Sequence, residues 1–338
     1  MTETQPSTYE ALKSESVGAT KQHRTQRTIE HILERLSPLE LPAKEEFENY
    51  LRHKSRLNHK RNTLDSSFTS IMLFLDFYRK SGKSDLQDLK RADLEPFIEH
   101  EQDRGLKIST VKTRMAFIIA FLHFLVEQEL IPGSVLKKTI KLKLPDTLPR
   151  AIAPKDVRKF FSVIHHTRDR ALFLLLLRTG IRIGEALGLT LNDLDIRERK
   201  VHLFEGEKNS MGRVVYFSDD ALFALKRWLK RRDPERQFLF NGQGNGPLCY
   251  SAASSRFKKY LMRAKLTEKG YTVHSLRHTY ASELLNAGMH LECLQKLMGH
   301  QDIEVTSRYA RLTDKTRKEE YFRAMAKIEK GAIDGDYR

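Results

Sequence analysis

The chain has 338 residues, 40% of them hydrophobic, enough for two domains with real cores and too apolar for a disordered tail protein. Lysine and arginine number 60 against 44 acids, and the resulting formal charge of +16 favours an anionic partner, usually nucleic acid. Cys249 and Cys293 exclude a disulfide scaffold, no apolar stretch reaches the length of a membrane span, and MTETQPSTYEALKSES holds no signal core. The expected place is the cytoplasm, on the nucleoid, away from any membrane.

Residues 1–42 read as a polar arm and a short helix, with Ile29, Ile32, Leu33 and Leu36 at helical spacing before Pro38 and Pro42. From 43 to 144 the periodicity is helical and predicts a four- or five-helix unit. Leu64, Phe68, Ile71, Met72, Leu75 and Tyr78 mark one helix; Asp93 is placed to cap the next, with Phe97 and Ile98 inward and Gly105 as its stop. Val111, Met115, Ile118, Leu122 and Leu125 mark a third, starting at Ser109 and closed near Pro132-Gly133. Two basic runs decorate this unit: Arg52, Lys54, Arg56, Lys60 and Arg61, then Lys137, Lys138, Lys141 and Lys143. Such runs are usually solvated faces; two in one basic domain point to phosphate contacts.

The prolines of LPDTLP predict an extended linker over 145–152. A second domain follows over 153–330, with a tail at 331–338. Helices are expected over 156–166 and 168–178, then a β-hairpin from Lys200–Phe204 and Arg213–Phe217, then helices over 220–232, 251–265, 275–287, 291–298, 302–311 and 314–329.

Three clusters in this domain carry chemistry. In TGIRIGEALGL, Arg182 stands just past a glycine turn among apolar neighbours, where a guanidinium needs an anion; Glu185 is placed to hold it. In HSLRHT, His274 and Arg277 are three apart and share a helix face. At a helix start they would join backbone amides that favour an anion. In LMGH a glycine ends a helix before His300, and Tyr309 follows nine positions on. Taken singly, the HxxR pair gives way to ordinary surface residues, and His300 and Tyr309 to a helix-end ligand and a core aromatic; the alternative for Arg182 and Glu185 is an ion pair with no substrate.

Taken in order, TGIRIGEALGL, a hairpin lysine, HSLRHTYAS and LMGHQDIEVTSRY resemble the tyrosine recombinases, the family of phage and transposon integrases and Xer proteins. The resemblance covers the second domain, and the helical unit is similar to the family's core-binding domain. It implies a mainly α fold with a small β-hairpin or sheet: a helical DNA-binding domain and a mixed α/β catalytic domain. It implies site-specific recombination, with Tyr309 as nucleophile, Arg182 and Arg277 clamping phosphate oxygens, and Glu185 orienting Arg182. His300 would add a hydrogen bond and His274 a general base. Lys208, in a hairpin reading GEKNSMGR where the family tends to carry two lysines between glycines, stands as the acid for the departing 5′ oxygen or as a backbone phosphate contact.

The implied partner is double-stranded DNA with inverted-repeat core sites, bound as a dimer per site and a homotetramer on two sites. An accessory or directionality factor is left open. No cofactor and no metal are expected: the chain has no HExxH, CxxC or GxxxxGK[ST] motif. The segment 313–328, with Tyr321, Phe322, Met325 and Ile328 at helical spacing, packs on its own domain or on a neighbouring protomer. The alternatives to recombination are type IB topoisomerase-like relaxation and a non-catalytic DNA-binding protein of the same fold.

Overall fold

Apolar side chains at three- and four-residue spacing build the first unit. The computed structural model describes residues 28–137, 140–144, 150–203 and 212–299. Within it run α1 (28–36), α2 (Lys44–Arg56), α3 (Arg61–Lys80), α4 (Leu94–Asp103) and α5 (Ile108–Glu127). Phe47, Phe68, Phe74, Phe97 and Phe121 meet in one core, which also takes Ile29, Ile32 and Leu36 of α1. The chain divides into two compact units, Met1–Pro145 and Asp146–Arg338.

Two local expectations change. Asp93 stands at the N-cap of α4, but its side chain makes no cap hydrogen bond there; its carboxylate accepts from the Lys90 backbone N–H at 2.9 Å and pairs with Lys83, closing the short 3₁₀ turn Arg91–Asp93 instead. Helix α5 does have the length and apolarity of a membrane span, 20 residues with a mean hydropathy of 1.4 over its most apolar window. Its place in the core accounts for that composition, since Val111, Met115, Ile118, Phe121, Leu122 and Leu125 are all buried there.

The second unit is arranged around α7 (Thr167–Thr179), which follows α6 (Pro154–Ser162). Every residue from Ala171 to Leu177 is buried, so the helix is apolar all round, as a helix covered on each side must be. Two further elements follow, α8 (Ile183–Gly188) and β1 (Leu194–Asp195), neither of which the sequence pattern announces. The short strand β1 pairs antiparallel with β2 (Lys200–Leu203), which pairs with β3 (Arg213–Tyr216), in the order β1-β2-β3. Leu203 lies opposite Arg213 at the root of the hairpin. The fold is thus mainly α with a small three-stranded sheet. Among the described residues, four helices follow: α9 (Asp219–Leu229), α10 (Tyr250–Arg263), α11 (Val273–Asn286) and α12 (Leu291–Met298). The expected arm over 1–26, the helices over 302–311 and 314–329 and the tail lie outside the described residues, as does most of the proline linker.

A buried carboxylate ties α7 to α10. Asp169 has no exposed surface and accepts from Tyr260 Oη at 2.9 Å, Arg256 at 3.1 Å and Arg168 at 3.2 Å. Removing one member of a buried, hydrogen-bonded charge cluster strands the others. Asp169→Ala should therefore cost about 3 kcal/mol, read in urea unfolding as a lower midpoint for the second unit and an unmoved first unit.

Candidate active site

The site begins where α7 stops. Gly180 closes the helix at φ +63°, and a Cβ there would lie 2.2 Å from a ring carbon of Tyr280, so both the backbone angle and the space demand glycine. The turn anchors Ile181 in the core and leaves Arg182 as the N-cap of α8, its side chain 42% exposed. Glu185, one turn on, accepts from the Arg182 backbone N–H at 2.7 Å and from Arg182 Nη1 at 3.1 Å.

Helix α11 supplies His274 and Arg277. Both stand near its start, at the second and fifth positions of the helix. Arg277 is 2% exposed, and its guanidinium donates to the Gly180 carbonyl and, at 2.7 Å, to the Met298 carbonyl. Helix α12 ends at Gly299, φ +62°, and its last carbonyls need donors from elsewhere. Three arginines provide them in succession. Arg213 Nε donates to Leu297 O at 3.1 Å, Arg277 Nη2 to Met298 O at 2.7 Å, and Arg182 Nη2 to Gly299 O at 3.0 Å. Cations at a helix C-terminus gain about 0.3–1 kcal/mol each from its dipole.

Arg213 was not singled out in the sequence. It opens β3 and binds Glu185 with both arms, Nη1 to Oε1 at 3.1 Å and Nη2 to Oε2 at 2.8 Å. Glu185 thus serves two guanidinium groups. Burial works to raise its carboxyl, but hydrogen bonds from Arg213 and the Arg182 backbone outweigh that and hold it below the usual carboxylate range. An arginine at a strand end looks like any solvated charge, and its partner is 28 residues away, so no local signal marks it.

His274 keeps an exposed edge, yet burial first, then Arg277 and Arg182, lower its pKa, favouring the neutral imidazole. Its ring meets that of His278 edge-on, with centroids 4.6 Å apart. His278, half-buried beneath it, is pushed down to about 4 by burial, His274 and Arg277. Tyr280 is also against this cluster, and burial pushes its phenol up to about 12 in spite of Arg277 and Arg213.

The structure therefore brings Arg182, Glu185, Arg277 and His274 together. Lys208, His300 and Tyr309 lie outside the described residues. In the first unit Arg52, Lys54 and Arg56 fall on the C-terminal half of α2, with Lys60 and Arg61 at the start of α3. Arg52 is paired with Glu48 at 2.6 Å and Lys54 stands 5.5 Å over the Tyr50 ring. Lys137, Lys141 and Lys143 are exposed, and Lys138 lies outside the described residues. Among the described residues, no group of three His, Cys, Asp or Glu side chains could hold a metal ion.

Residues 150–316 match the Phage integrase family and residues 45–129 the Phage integrase N-terminal SAM-like domain. The tyrosine recombinase XerC of Myxococcus xanthus is 33% identical over 216 residues, 59% of this chain and 70% of that protein. The tyrosine recombinase XerD of Corynebacterium glutamicum is 31% identical over 275 residues, 75% and 88% of the two chains. The Tn1549 transposon integrase, solved in complex with a circular intermediate DNA, shares the fold, with a TM-score of 0.70 at 23% identity over 84% of this chain and all of that one.

The histidine pair gives stability a pH dependence with a definite sign. Unfolded, His278 takes a proton near pH 6.5; folded, it does so only near 4. The unfolded state therefore binds more protons between these values, and stability falls as the pH drops through that window. A shift of this size corresponds to ~3 kcal/mol, which solvent screening of a half-buried ring reduces to ~2 kcal/mol. His278→Gln should flatten the loss by that amount in urea midpoints measured from pH 7 to pH 4.

Proposed function

We propose the following mechanism on the premise that this chain belongs to the phage integrase family: it is a tyrosine recombinase, an enzyme that cleaves and rejoins DNA. Tyr309 attacks the scissile phosphodiester, leaving a 3′-phosphotyrosine and a free 5′-hydroxyl. A free phenol has a pKa of about 10, so neighbouring guanidinium groups must favour its phenolate or a base must take the proton as the bond forms. His274, held neutral beside Arg277, is suited to that task.

The observation that carries this reading is the convergence of Arg182 and Arg277 on adjacent carbonyls of one helix end. Two guanidinium groups fixed side by side can stabilise the charge that develops on the non-bridging oxygens of one phosphate, typically the largest catalytic contribution. His300, next in sequence after that helix end, adds a donor. Lys208, between Leu203 and Arg213 in the sequence, protonates the leaving 5′ oxygen. Rejoining runs the same steps backward with the partner strand's hydroxyl, so the phosphotyrosine stores the bond energy and no nucleotide is consumed.

In this reading the basic 43–144 domain grips the duplex through Arg52, Lys54, Arg56, Lys60, Arg61, Lys137, Lys138, Lys141 and Lys143. Two protomers occupy an inverted-repeat core site, four assemble on two sites, and strands exchange through a Holliday junction. The biological task in this reading is movement of a mobile element or resolution of replicons.

The test is adduct formation on a nicked suicide duplex, which traps the covalent intermediate. Tyr309→Phe should bind the duplex as wild type does and form no adduct; adduct formation by that variant refutes the assignment. Arg182→Ala or Arg277→Ala should each slow adduct formation by about 10²–10³-fold, the loss expected for one charge-stabilising donor, with little change in binding. Since each neutralised phosphate releases counterions, affinity should fall steeply and linearly in log–log form with added salt. A flat response in an anisotropy titration contradicts the proposed grip.

A further inference from the structure

Three parts of the second unit meet at the Arg213 side chain. As the first residue of β3 it stands at the hairpin root, opposite Leu203. Its Nε holds Leu297 O in the last turn of α12, and its two arms hold both oxygens of Glu185. Gly299 lies flat against the guanidinium: a Cβ there would come within 2.8 Å of Nη1, 2.9 Å of Cζ and 3.0 Å of Nε. The side chain is only 14% exposed. Its fork is committed to the carboxylate, so Arg213 cannot clamp a phosphate with that edge without releasing Glu185.

Arg182 is held differently. Its Nη1 touches Glu185 and its Nη2 the Gly299 carbonyl, so only one arm is on the carboxylate, and it has three times the exposure, 42% of its side chain. One carboxylate thus faces two arginines and makes its two-armed contact with the deeper one. We propose that Arg213 is a positioning residue: by holding Glu185 in a fixed plane and pinning the end of α12, it keeps the Arg182 guanidinium in place to meet the scissile phosphate. This rests on the phosphate-clamping role proposed above for Arg182.

The physics is a competition for one anion. A half-buried carboxylate deprived of Arg213 still needs a paired cation, because its desolvation is not otherwise offset. Arg182 is the cation within reach. Glu185 would then take the Arg182 fork in a two-armed pair, the geometry most favoured between these groups. The guanidinium would be drawn onto the carboxylate and away from substrate. A displacement of about 1 Å in a catalytic group can cost ~10²-fold in rate. DNA affinity, spread over many phosphates, would hardly register it.

The experiment measures single-turnover adduct formation on the suicide duplex at saturating protein, with the duplex dissociation constant measured separately. Arg213→Gln is expected to slow adduct formation ~10²-fold with affinity within ~3-fold of wild type. Arg213→Lys, which keeps the charge and loses the fork, is expected to lose ~10-fold. Adding Glu185→Gln to Arg213→Gln removes the anion that captures Arg182, so the double variant should be no slower than Arg213→Gln alone. A merely structural residue would give a different pattern, with losses that multiply in the double variant and fall together with affinity. That pattern, or a wild-type rate in Arg213→Gln, overturns the proposal.

Should Arg213→Gln lack a cooperative unfolding transition, Arg213→Lys decides alone: a wild-type rate refutes the proposal, and a slower rate at unchanged affinity supports it. Arg182→Ala separates the two levels of the reading. If that variant forms adduct at the wild-type rate, the clamping role itself has failed. If it is slow while Arg213→Gln is not, only the positioning role has.

Discussion

The end of one eight-residue helix organises the second unit. Helix α12 leaves its final carbonyls without intrahelical donors, and its dipole places partial negative charge at the same point. Arg213, Arg277 and Arg182 answer residues 297, 298 and 299 in turn. Each arrives from a different element: β3, α11 and the turn before α8. Their guanidinium groups are therefore set against three successive peptide carbonyls of one chain. The like charges are tolerable because the helix end and Glu185 lie among them.

This arrangement places the guanidinium groups before any substrate is present. Arg277 is almost wholly buried and held by two carbonyls, one on each side, so its position follows from how α7 and α12 terminate. Glycines at those two terminations, Gly180 and Gly299, both take positive φ and both lie against a side chain of the cluster. Preorganised charge of this kind needs little rearrangement when charge develops on a bound phosphate. Chain termination, more than loop design, sets the geometry.

Much of this was legible in the sequence, for identifiable reasons. The helices with clean apolar spacing, such as those carrying Leu64–Tyr78 and Val111–Leu125, are visible because a one-sided core imposes its period on the chain. Arg182 and Glu185 are one helical turn apart, as are His274 and Arg277, and such pairs announce themselves. What escaped notice has no local period. Strand β1 is two residues long, α8 only six, and Asp93 satisfies an earlier turn instead of its own helix. Arg213 was invisible because its meaning lies in partners 28 and 84 residues away. The apolar α5 misleads in the opposite direction, since a helix that buries one face in a core and carries apolar residues beside it can match a lipid-spanning composition.

A chain whose chemistry uses a phenol, and which contains 11 tyrosines, must also keep the wrong ones silent. Tyr280 is the sharpest case, for it packs on Gly180 beside the very arginines that would encourage its ionisation. Burial prevails and carries its pKa to about 12, so at neutral pH its hydroxyl keeps its proton. A phenol that keeps its proton is a poor nucleophile, so burial withholds from Tyr280 the chemistry that its neighbouring cations would otherwise promote.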